Sequence, residues 1–263
     1  MASPAWTNKE DVTEFNLPHP NSGPDDITAG PGGYLWFCEF KGNRIGRITP
    51  DGAKITEFDI PTKDSQPRGI KPGPDGNLWF SESHGNRIGR ITVDGIITEF
   101  ELPQPNSQPR GLAAGPDGNL WFAEGFGNRI GRITTKGIIT EFDVPKPNSA
   151  PADITTGPDG KMWFTEVDGN RIGCISVGGK IVQEFDLPNP DSQPVFIKVG
   201  PDKNVWFSEF RGNRIGRMTV DGTITEFDIP TKDGQPRGIA AGPDGNVWFT
   251  EQLGNRIGRV RPR

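Results

Sequence analysis

A chain of 263 residues with a formal charge of −5 offers no basic stripe for a phosphate backbone, which argues against nucleic acid as a partner. Its 36 glycines and 26 prolines would mark a low-complexity chain if they fell without order, but they recur at a fixed period and read as turn punctuation. No run reaches the roughly 18 apolar residues of a membrane span, and the start "MASPAWTNKEDV" has no apolar signal core, so the expectation is a cytoplasmic monomer with no membrane partner.

The first element in the chain is an orphan, "DVTEFNLP", followed by "WFCEFKGNRIGRIT" from Trp36. The same motif returns at Trp79, Trp121, Trp163, Trp206 and Trp248. The asparagines of "NRIG" (Asn43, Asn86, Asn128, Asn170, Asn213 and Asn255) are spaced by 42 or 43 residues, the period of a four-stranded propeller blade. Each unit reads as an entry strand such as "RGLAAGP", a "PDGN" turn, a strand "LWFAE", a short loop, a strand "NRIGRIT", a "DG" or "KG" turn and a strand "IITEFDV". Asp-Gly pairs tolerate positive φ and favour tight hairpins, so the strands of one unit are antiparallel neighbours. The last unit stops at "NRIGRVRPR" without a fourth strand. The reading is therefore an all-β, single-domain, six-bladed β-propeller over residues 1–263. Its N-terminal strand, residues 12–17, completes the last blade, 237–261, by pairing Val12–Leu17 beside Ile257–Val260 and closing the ring. Cys38 and Cys174 lie three repeats apart and read as free thiols.

Positions that differ between blades mark the face where asymmetric chemistry can sit. The two residues after each interblade proline change: Asp25-Asp26, Arg68-Gly69, Arg110-Gly111, Ala152-Asp153, Val195-Phe196 and Arg237-Gly238. So do the two after each WFxE glutamate: Phe40-Lys41, Ser83-His84, Gly125-Phe126, Val167-Asp168, Phe210-Arg211 and Gln252-Leu253. Both sets are expected to converge on the mouth of the central channel, on loops carried by a rigid scaffold. Arg68, Arg110, Arg237, Asp25, Asp153 and His84 are the catalytic candidates. The arginines could clamp a carboxylate or enolate, and the histidine suits proton transfer. Asp26, Phe40, Lys41, Phe126, Asp168, Phe196, Phe210, Arg211 and Gln252 are the substrate-binding candidates. His19, in "LPHPNS", carries less weight. The repeated glutamates Glu39, Glu82, Glu124, Glu166, Glu209 and Glu251 read first as strand-to-strand contacts with the "NRIG" arginines. The sharper alternative is a carboxylate ring holding an axial cation such as Mg²⁺. No phosphate loop, Cys/His metal cluster or nucleophile elbow occurs, so no organic cofactor is expected.

The "GPDGN-LWF" strands, "GNRIGRIT", "DGxITEF" and "LPxPNSxP" together resemble the virginiamycin B lyase family over essentially the whole chain. That resemblance implies a propeller enzyme, of seven blades in the family, which opens a cyclic depsipeptide by eliminating an ester C–O bond with a histidine base and Mg²⁺. The family's base enters at the start of an innermost strand. The positions matching it here are Asp25, Arg68, Arg110, Ala152, Val195 and Arg237, none of them histidine. The family's catalytic acid maps at or beside Glu251 and Gln252, and six blades instead of seven are expected to narrow the ring. Two functions remain open: a lyase-like or cyclase/isomerase enzyme acting on a cyclic or polyketide-like natural product, and a noncatalytic propeller binding a small molecule, sugar or peptide.

Overall fold

A computed structural model describes residues 14–262. Blade 1 is built from β1 (Pro24–Ala29), β2 (Leu35–Glu39), β3 (Arg44–Ile48) and β4 (Ile55–Asp59). Blades 2 to 5 follow as β5–β8 (residues 67–101), β9–β12 (109–143), β13–β16 (151–186) and β17–β20 (194–228). Blade 6 has β21 (Pro236–Ala241), β22 (Val247–Glu251) and β23 (Arg256–Val260). The sheets are antiparallel meanders, four-stranded in blades 1 to 5 and three-stranded in blade 6 among the described residues. One 3₁₀ turn, Pro31–Gly33, is the only helical element among them, and no helix is long and apolar enough to cross a membrane. The chain is thus the expected all-β, six-bladed propeller. First strands of successive blades lie side by side around the axis.

Blade 2 shows why the repeated residues are needed. Asp75, in the "PDGN" turn, accepts a hydrogen bond from Trp79 Nε1 (3.0 Å) and so ties turn to strand. The Trp79 ring stacks on Phe100 at 5.5 Å between centroids, and the Arg90 guanidinium lies over both rings. Gly89 faces Phe80: a Cβ there would lie 2.1 Å from Phe80 Cζ, so the second strand's ring occupies the space a side chain would need. Asn86 sits at φ 55°, a left-handed conformation that Asn adopts more readily than most residues. Its Nδ2 donates to Gln104 O (2.9 Å) and its Oδ1 accepts from Ser107 N (2.8 Å), pinning the connection that leads into blade 3. "NRIG" is therefore scaffold.

The core lies between blades. Trp79, Ile88 and Leu102 of blade 2 pack against Leu112, Leu120, Phe122 and Ile133 of blade 3, all buried. Burial of each such large side chain contributes about 1.5–3 kcal/mol, so the interfaces between blades carry most of the stability. Cys38 and Cys174 are buried free thiols.

Val12 and Thr13, the start of the expected closing strand, lie outside the described residues. Glu14–Leu17 carry no strand, and β23 has no fourth-strand partner among the described residues. The ring of Phe15 instead covers Gly52 of blade 1.

Candidate functional site

A cavity of about 700 Å³ opens where the first strands meet the channel mouth. All twelve residues that follow the interblade prolines line it. A local irregularity explains how both members of each pair face the same space. In every blade the pairing of the first strand with the second shifts just after the proline, as between Pro67 and Ile70 in blade 2. Regular strands alternate their side chains between faces, and a bulge at the strand's start re-aims them.

Around this mouth Arg68 lies over the Phe40 ring (4.8 Å), Arg110 over Phe126 (5.9 Å) and Arg237 over Phe196 (5.7 Å). Stacking on a ring face fixes a guanidinium's plane while leaving its N–H edge free to donate. Arg110 also donates to Gln108 Oε1 (3.0 Å). Its pKa is lowered, chiefly by burial and then by the like charge of Arg68, and Asp168 opposes both. Asp25 stands open to solvent. Loss of hydration inside the mouth still raises its carboxyl pKa, against the pull of Arg68 and Arg237.

The other two aspartates are tied into the scaffold. Asp26 accepts from Ile70 N (2.9 Å) and Lys71 Nζ (2.5 Å), which bridges blade 1 to blade 2. Asp153, buried, accepts from Ile197 N (3.1 Å) and faces Lys198, which bridges blade 4 to blade 5. Lys71 and Lys198 belong to the mouth and were not singled out from the sequence. The signal was available: they stand four residues after the interblade proline, another position that differs between blades. The lining thus carries Arg68, Lys71, Arg110, Lys198 and Arg237 against Asp25, Asp26 and Asp153, a cationic patch on an acidic chain.

The second set of variable positions is placed differently. Of the residues following the WFxE glutamates, Gln252 alone lines the cavity among those named above. Phe40 and Phe126 reach it only through the arginines that cover them. His84 is exposed, with Nδ1 3.1 Å from Asp64 O, and does not line the mouth. Lys41, Asp168, Phe210 and Arg211 are also outside the lining. His19 pairs with the Glu57 side chain. The physical reason is strand order: these loops join the second and third strands, one strand farther from the axis than the residues after the prolines.

The six repeated glutamates do not form an axial ring. Among the described residues no three His, Cys, Asp or Glu side chains gather as a metal site. Each glutamate is buried inside its own blade, and four are paired there: Glu39 with Arg44 (2.8 Å), Glu124 with Arg129 (3.2 Å), Glu166 with Arg171 (2.9 Å) and Glu209 with Arg214 (3.0 Å). At the mouth Asp26 pairs with Lys71 and Asp153 with Lys198, and Asp25 lies in the field of Arg68 and Arg237, which leaves no cluster of free carboxylates there for Mg²⁺. Glu82 accepts from Ser65 Oγ (2.7 Å). Burial pushes Glu82 up to about 8, and pushes Glu124 and Glu209 up to about 7.

Comparison with known proteins follows this geometry. The sequence model of the virginiamycin B lyase family matches residues 5–183 and 114–263. Virginiamycin B lyase of Bacillus licheniformis is 51% identical over 41 residues, a match that spans 16% of this chain and 14% of that protein's length. A crystal structure of a catalytically inactive histidine-to-alanine variant of virginiamycin B lyase from Staphylococcus aureus, with quinupristin, superposes with a TM-score of 0.91 at 46% identity, covering 95% of this chain and 85% of that one. A streptogramin B lyase structure gives 0.87 at 40% identity, covering 95% and 87%. The six blades therefore keep the spacing of the lyase ring instead of narrowing it.

Proposed function

The chain belongs to the virginiamycin B lyase family, and on that footing we propose that its channel mouth binds a cyclic, carbonyl-rich natural product and opens it by C–O elimination. The observation that carries this reading is the set of three arginines, each backed by a phenylalanine ring, lining one cavity with Asp25, whose carboxyl feels the charges of Arg68 and Arg237. In the proposed step the Asp25 carboxylate removes the proton next to the substrate carbonyl. The released electron pair forms a C=C bond, and the ester C–O bond breaks as its oxygen leaves. Arg68 and Arg237 donate to the developing enolate oxygen, a role worth about 3–4 kcal/mol for a well-placed donor. A carboxyl raised above its ordinary range is a stronger base than a normal aspartate, which suits it to the place where the family uses histidine.

The substrate class tested first is the cyclic depsipeptide, with quinupristin as the probe. Elimination gives a linear product of unchanged mass, whereas hydrolysis adds a water, so mass spectrometry separates the two. Asp25→Asn should abolish opening while retaining binding, and Arg68→Ala with Arg237→Ala should weaken both. Binding without turnover by the unaltered protein, lost in the arginine pair, would instead favour the noncatalytic reading. Absence of binding to quinupristin or to a panel of cyclic depsipeptides and polyketides would reject the site.

A further inference from the structure

The mouth carries more positive charge than its own acids balance. Lys71 pairs with Asp26 and Lys198 with Asp153, which leaves Arg68, Arg110 and Arg237 against Asp25 alone. None of these three guanidiniums enters an ion pair among the described residues, whereas Arg44, Arg129, Arg171 and Arg214 each hold a buried glutamate. Arg68 and Arg237 act on Asp25, while Arg110 feels Arg68 as a like charge. Arg110 is the cation that the elimination step leaves without a role.

The fold nevertheless fixes its place. Arg68 and Arg237 lean on rings of the preceding blade, Phe40 and Phe196, but Arg110 lies over its own blade's loop, 5.9 Å from the centroid of Phe126. It donates to Gln108 Oε1 (3.0 Å) and rests against the backbone of Gly125, where a Cβ would stand 2.6 Å from Arg110 Nε. Gly125 follows the WFxE glutamate of blade 3, and the other blades carry Phe40, Ser83, Val167, Phe210 and Gln252 at that position. Glycine therefore stands in the blade whose arginine occupies that space. The surroundings suit an organic anion better than a bare hydrated one: Leu112, Val195 and Phe196 line the same cavity, and the Phe126 ring beside the guanidinium is 70% exposed.

We propose that Arg110, with the free edge of Arg68, is a subsite for the carboxylate of an organic acid, and that Gly125 positions it. The assignment of its occupant rests on the elimination reading, which itself releases such an acid. As the proton passes to Asp25 and the C=C bond forms, the ester C–O bond breaks and its electron pair stays on oxygen. That oxygen and the ester carbonyl become a carboxylate on the departing arm. A guanidinium offers this group two parallel N–H donors, a match that an uncharged ester or amide does not make. The opened acid is thus held more tightly than its uncharged counterparts.

The test is calorimetry on the full chain with two pairs of probes. One pair is the linear acid formed by eliminative opening of quinupristin and its carboxamide; the other is 3-phenylpropionate and 3-phenylpropanamide. Each acid should bind about ten- to a hundredfold more tightly than its amide, as a hydrogen bond to a charged group implies. Arg110→Ala should abolish that preference. Gly125→Val, which keeps every charge and introduces the residue that blade 4 carries as Val167, should abolish it too while thermal melts show an intact fold. The proposal is overturned if the acids bind no more tightly than the amides, if the preference survives both substitutions, or if inorganic phosphate binds as tightly as 3-phenylpropionate. These outcomes are separate from ring opening. Opening of quinupristin without acid preference removes the subsite and keeps the elimination reading; acid preference without opening keeps the subsite and removes that reading.

Discussion

Replacing Glu82 by glutamine should stabilise the protein at alkaline pH and leave it nearly unchanged in mild acid. Glu82 is buried, accepts a hydrogen bond from Ser65 and lies beside Glu99; burial first, and then that neighbour's charge, drive its pKa from 4.5 to about 8. Between those values the folded chain holds a proton that the unfolded chain releases. Stability therefore falls as pH rises from about 4.5 to about 8 and is level beyond, the direction required when the native state binds more protons. The full displacement corresponds to about 5 kcal/mol at 1.36 kcal/mol per pH unit, an upper limit because relaxation around a buried charge recovers part of it. Glutamine keeps the acceptor for Ser65 and has no charge to bury. Urea denaturation of both proteins at several pH values from about 5 to about 9 isolates the effect, since every other titrating group cancels in the difference. A difference that stays constant, or shrinks as pH rises, would show that Glu82 is ionised in the fold and refute the argument.

Three further outcomes follow from the scaffold and the mouth. Gly89→Ala should destabilise by about 1–3 kcal/mol in urea melts, because the new methyl meets the Phe80 ring. Asn128→Ala should cost about 2–3 kcal/mol, since Asn128 bonds Val144 O, Lys146 O and Ser149 N and each such bond contributes about 1 kcal/mol net; thermal melts should show no loss for Lys136→Ala on the opposite face. Binding of an anionic or carbonyl-rich ligand should weaken with added salt, and Lys71→Ala or Lys198→Ala should reduce that salt dependence in calorimetric titrations.

The blade was legible because its residues answer to local rules. An Asp-Gly turn, a Trp-Phe strand and an asparagine in left-handed geometry each specify a contact within a few tens of residues, and repetition made the contacts visible six times. The first strands' contribution to the mouth was legible for the same reason, since residues that depart from the repeat at one fixed offset are free of its packing duties. The loops after the WFxE strands departed from the repeat too, yet Phe40 and Phe126 became supports for Arg68 and Arg110, and His84 turned to the backbone of Asp64. Offset within a repeat tells which face a residue occupies, but not how far from the axis its strand stands. Lys71 and Lys198 were passed over because they lie inside a strand, where a charged side chain first reads as solvated surface. Their meaning depends on Asp26 and Asp153, which reach them from the neighbouring blade. The same dependence on neighbours explains the apolar surface of blades 6 and 1. Ile257 and Ile27 carry the same residue type as their buried counterparts, so the sequence reads them as core, and only the lack of a packed neighbour among the described residues leaves them exposed. A repeat protein's chemistry at each interface is set by one unit, while the closure of the ring is set by how many units stand together.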